Sequence, residues 1–114
     1  MDVRTLDPTI EVVESYKDFA VVAGVHTIDT HDDRICYVTI AHRGLEPIYV
    51  TGSRYPLLNF SRDVKNDLTI NKLSAILDAS SIPKGYVISL DDVEELYKKI
   101  VAAVVKLGEK EREQ

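Results

Sequence analysis

The chain contains one cysteine, one methionine and no tryptophan in 114 residues. A lone Cys36 cannot close an internal disulfide, and no second cysteine exists to share a zinc ion with it. Its place inside an apolar run reads as a small inert hydrophobe rather than a nucleophile. Methionine, asparagine and glutamine are scarce, valine and isoleucine are abundant, and lysine and glutamate crowd the last helix. This balance avoids thermolabile residues and points to a thermophilic source. No apolar run is long enough to span a bilayer, and the acidic N-terminus lacks a secretory apolar core. The expectation is a cytoplasmic protein with no membrane role. Also missing are G-x-S-x-G, Walker A, H-E-x-x-H, paired cysteines and a dinucleotide fingerprint. No cofactor is expected, and the balance leans away from an enzyme.

What is present suits one globular domain. Hydrophobic residues make up 45% and charged residues 29%, enough for a self-supporting core in a chain of this length. Residues 1–108 are expected to form the domain, and 109–114 a solvated charged tail. The net charge of −5 argues against a protein that coats duplex DNA, which needs a basic surface to displace counterions. The charge is uneven, however. Residues 1–41 carry three basic and eight acidic side chains, whereas residues 42–72 carry five basic and three acidic.

The pattern of elements reads as α+β. Asp7 before Pro8 suits a helix start, which favours a helix in D-P-T-I-E-V-V-E-S-Y, although its β-branched residues also suit a strand. F-A-V-V-A-G-V-H-T-I and I-C-Y-V-T-I-A-H are strands, apolar on both alternating faces. R-G-L-E-P then turns into a short third strand, I-Y-V-T. These three strands predict an antiparallel meander whose two apolar faces both need a cover. After an irregular stretch near residues 53–62, Ile70, Leu73, Ile76 and Leu77 recur at helical spacing behind Thr69, a candidate N-cap. Y-V-I-S (86–89) reads as one more short strand. Ser89 then caps a long amphipathic C-terminal helix with acids in its first turn, stopping near Gly108. The expected architecture is a small, mainly antiparallel sheet covered by two or three helices.

Three groups of residues are candidates for function. The first is V-H-T-I-D-T-H-D-D-R (25–34), with two histidines and three aspartates in eight residues. Asp29, His31 and Asp33 share a strand face by parity and form a conceivable ligand set for a divalent ion in a metal-assisted hydrolase or nuclease. The same residue types favour turns, and apolar runs begin on both sides, so a hairpin connection is the expected role. His26, inside the strand, is expected to be partly buried and hydrogen-bonded. The element order resembles that of the restriction-endonuclease-like core of some archaeal resolvases. Those enzymes hold Mg²⁺ with an acid and an E-x-K on central strands, whereas the third strand here reads Y-V-T-G-S. The resemblance therefore stops at element order.

The second group is the basic and aromatic segment 43–65, with Arg43, Arg54, Tyr55, Phe60, Arg62 and Lys65. Cations that hold phosphates beside rings that stack on bases suit single-stranded nucleic acid. Alternatively, the rings fold inward and leave ordinary surface charges. The third group lies on the C-terminal helix. Its apolar residues cover roughly 200° of arc, about twice what a helix resting on one sheet needs. The excess includes Tyr97, Val101, Val104 and Val105. Either the rest of the chain covers that arc or a second copy does, related by a two-fold axis. The sequence thus favours a small interaction or assembly module, a homodimer through its C-terminal helix, over a nucleic-acid-binding protein or a metal-dependent hydrolase.

Overall fold

A computed structural model describes residues 8–28, 33–43, 45–54, 57–80 and 89–112. Four strands, β1 (Pro8–Tyr16), β2 (Phe19–Ile28), β3 (Asp33–His42) and β4 (Ile48–Arg54), precede three helices, α1 (Leu57–Asp67), α2 (Ile70–Asp78) and α3 (Leu90–Arg112). The sheet is an antiparallel meander in the order β1-β2-β3-β4. The expected α+β architecture with its long C-terminal helix is therefore present, with a fuller sheet at its start. The expected strand at 86–89 falls on residues that lie outside the description, save for Ser89.

The segment that resembled a helix start is β1. Its residues alternate in burial: Ile10 is buried and Val12 partly so, while Glu11 and Val13 are exposed. That period of two fits a pleated strand and not a helix. Pairing runs from Ile10↔Val25 to Tyr16↔Phe19 and closes over a two-residue turn. Lys17, in that turn, adopts a φ of 51°, the left-handed geometry such tight hairpins demand. The described elements run ββββααα, and with a strand in place of the first helix the resemblance in order to the nuclease core does not hold.

All the heaviest burial lies on one face. Val21, Ala23, Cys36, Val38 and Ile40 have essentially no exposure. Cross-strand pairs such as Val21↔Ile40 and Ala23↔Val38 align them into continuous rows. Helix α3 lies across β1 and β2, while α1 and α2 pack beside it and against β4. A bulge between Val38 and Thr39 lets β4 turn Val50 toward this core while Tyr49 faces the other way.

Helix α1 replaces the stretch that read as irregular. Phe60, Val64 and Leu68 are buried at intervals of four, a narrow stripe that the neighbouring Leu57 and Leu58 obscure. Helix α2 is capped as its sequence indicates, with Thr69 Oγ1 accepting from Lys72 N at 3.1 Å. Ser89 caps α3, accepting from Asp92 N at 3.1 Å. Gly108 does not end α3, which continues to Arg112. Beyond the glycine, Lys110 Nζ donates to the Glu11 carbonyl at 3.0 Å, a tertiary anchor that offsets the helix penalty of about 1 kcal/mol for glycine.

Candidate functional site: the uncovered face of the sheet

The strands were apolar on both faces in sequence, and the described helices cover one. Among the described residues nothing lies over the other. Val13 on β1, Ile35 on β3 and Tyr49 on β4 are 52%, 38% and 63% exposed there. Between them Val22, Tyr37 and His26 are half-buried. Each edge and the centre of the sheet thus contribute an apolar or aromatic side chain to one surface.

A glycine keeps this surface flat. Gly24 on β2 pairs with Tyr37 on β3, and the missing side chain of Gly24 makes room for the Tyr37 ring. A Cβ at Gly24 would sit 2.8 Å from Tyr37 Cε1. The ring therefore lies across the neighbouring strand, with its hydroxyl near the Glu11 carboxylate on β1. Burial, followed by the nearby Glu11 charge, pushes the Tyr37 phenol up to about 12. His26 stacks on the same ring at 4.5 Å between centroids and 15° between planes. The expectation of a partly buried His26 is met. Its buried Nδ1 has no partner among the described residues. At the β4 edge Tyr49 lies against Gly52 in the same way.

The covered side is fastened by charge. Asp92, buried at the start of α3, accepts from Tyr16 Oη and from Lys17 Nζ, both at 2.8 Å. These hydrogen bonds, Lys17 first, hold its carboxyl down at about 2. Hydrogen bonding to Asp92 in turn raises both Lys17 and Tyr16. Lys106 forms an ion pair with the largely buried Glu14. The first hairpin and α3 are thereby stapled at both ends of their contact.

The residues singled out in sequence distribute unevenly over this frame. Phe60 is 1% exposed, so its ring belongs to the core and is not available to stack on a base. Arg43 is exposed and paired with Asp18 at 3.0 Å. Arg62 and Lys65 are exposed on α1. Arg54 enters through its backbone, opposite Ile35, and Tyr55 lies outside the described residues. Asp29 and His31 also lie outside them, and Asp33 enters only as the backbone partner of Ile28. No group of three His, Cys, Asp or Glu side chains converges among the described residues. Cys36 is fully buried.

On α3, Val104 is 2% exposed and part of the core. Tyr97 is half-buried, and its hydroxyl donates to the Leu68 carbonyl at 3.0 Å. The excess apolar arc is thus largely taken up by α1, α2 and the segment between them. Val101 stays half-buried, and Val105 is 41% exposed. The residues of the open face that sequence reasoning passed over are Glu11, Val13, Gly24, Tyr37 and Tyr49. Their signal was the apolar outward face of the strands.

The class defined here is an α+β protein whose described helices cover one face of a four-stranded antiparallel sheet. No described helix is long and apolar enough to cross a membrane. No family model, curated protein or solved structure matches the chain.

Proposed function

We propose that the protein is a small non-catalytic assembly module that acts as a homodimer. The observation that carries this reading is the bare sheet face, with Val13, Ile35 and Tyr49 at 52%, 38% and 63% exposure. An isolated exposed hydrophobe is ordinary, but a contiguous apolar patch spanning a whole sheet marks a contact surface. A sheet stays wet on one side at little cost only when that side is polar. Here the outward positions include Val13, Val22, Ile35, Tyr37 and Tyr49, residues suited to a dry interface, beside the polar Glu11, Ser15 and Thr39. Self-association is the commonest way for a small chain to cover such a face.

Size-exclusion chromatography with light scattering tests the reading, with and without a short single-stranded oligonucleotide at low salt. The expected result is twice the monomer mass, unchanged by the oligonucleotide. A monomer across the micromolar range overturns it.

A further inference from the structure

We infer that the dimer forms through the uncovered sheet face, a second copy packing face to face across it, and not through the outer ridge of α3. This rests on the homodimer reading and specifies the surface that carries it.

Area is the first argument. The four strands are 9, 10, 10 and 7 residues long. At about 3.4 Å per residue and about 4.8 Å between strands, the face measures roughly 30 by 19 Å. Two copies would bury on the order of 1,100 Å², just above the roughly 1,000 Å² a specific interface should clear. The outer ridge of α3 offers a single narrow line, with Leu90 and Val105 64% and 41% exposed and Val101 half-buried between them. Its neighbours Lys106 and Glu109 are charged and exposed.

Shape and charge make the second argument. With Tyr37 laid over Gly24 and Tyr49 against Gly52, the surface suits the packing of aligned sheets about 10 Å apart. Glu11, the carboxylate of this face on the β1 edge, lies beside the Tyr37 hydroxyl and interacts with it. A two-fold axis in the interface plane and parallel to the strands would lay β1 over the partner's β4. Val13 would then meet a tyrosine edge, and the two Glu11 carboxylates would stay on opposite flanks. A nucleic-acid strand is the competing occupant. Arg54 pairs with Ile35 in the register of this face and would be its one cation beside Val13, Ile35, Tyr37 and Tyr49 among the described residues. Stacking with so little phosphate neutralisation gives weak binding.

The deciding experiment compares Val13→Glu, Tyr49→Glu and Val105→Glu with wild type by light scattering, with circular dichroism to confirm folding. Both sheet variants should run as folded monomers at concentrations where wild type is dimeric, and Val105→Glu should remain a dimer. The two sheet positions lie on opposite edge strands, so a folding failure in one leaves the other to decide. Hydrogen–deuterium exchange of wild type on dilution gives a readout free of substitutions: β1 and β4 should lose protection together. Sheet variants that stay dimeric while Val105→Glu dissociates overturn this assignment and leave the homodimer reading standing. A monomeric wild type overturns both. A shift with oligonucleotide that Tyr37→Ala and Tyr49→Ala abolish would give the face to nucleic acid instead.

Discussion

Both faces of this sheet carry β-branched residues, and these meet opposite fates. Ala23 and Val38 point toward the helices and have no exposure, while Val13 and Ile35 point the other way and are 52% and 38% exposed. Residue chemistry does not separate these four, although the outward face also carries Glu11, Ser15 and Thr39. The difference lies in what the chain can deliver to each side. Three helices follow the meander, pack against one another and therefore gather on a single face. Anything that covers the second face with an equally apolar layer has to come from beyond the described elements. The covered face resembles a finished core, and the bare one resembles half of a core.

The largest test of that contrast removes packing from the finished side. Leu96 on α3 is fully buried, so Leu96→Ala should cost about 2–5 kcal/mol through lost burial and the cavity left behind. Chemical denaturation would register it as a lower midpoint with little change in slope. Val13→Ala on the bare face should cost well under 1 kcal/mol at concentrations where the chain is monomeric. Equal losses at the two positions would mean that Val13 is covered within the single chain.

Gly24→Ala probes the centre of the bare face and should have an intermediate effect. The new methyl group would displace the Tyr37 ring, breaking its stack on His26 and moving its hydroxyl from Glu11. A loss of about 1–3 kcal/mol is expected for such overpacking. The double variant Gly24→Ala with Tyr37→Ala should recover part of that loss. Additive losses would show that the two residues are not coupled.

Much of this arrangement is legible in sequence where local chemistry decides it. Thr69 and Ser89 cap the helices their positions indicate, because a side-chain oxygen ahead of an amphipathic run has one common use. Strands β2 and β3 follow from dense β-branched residues. Elsewhere a local signal was outvoted. Asp7-Pro8 imitates a helix start, yet the alternation of Ile10, Glu11, Val12 and Val13 matches the pleat and pairs along β2. Gly108 imitates a helix end, yet Leu107 is buried beside it and Lys110 anchors to β1. The site was the least legible part. Alternation shows that both strand faces are apolar, but which face the helices choose is a tertiary outcome. Tyr37 looked like any strand tyrosine until Gly24 came to lie opposite it.

The smallest expected effects are titrations, and the two faces should respond at opposite ends of the pH scale. Tyr37 on the bare face has its phenol raised from 10.0 to about 12. Folding thus favours its protonated form, and the associated stability is intact below pH 10. It should be lost as pH rises from about 10 to about 12, a change on the order of 1 kcal/mol once solvent screening is allowed for. Tyr37→Phe should flatten that alkaline limb. Asp92 on the covered side is lowered from 3.8 to about 2, so folding favours its ionised form. Its contribution is intact above pH 4 and should fade as pH drops from about 4 to about 2. Asp92→Asn keeps the size of the side chain and removes the charge that Lys17 and Tyr16 share. Its stability curve should lie below wild type at neutral pH and converge with it near pH 2. If the two curves instead stay parallel throughout, α3 is held to the first hairpin by packing alone, and the charge at its start is incidental.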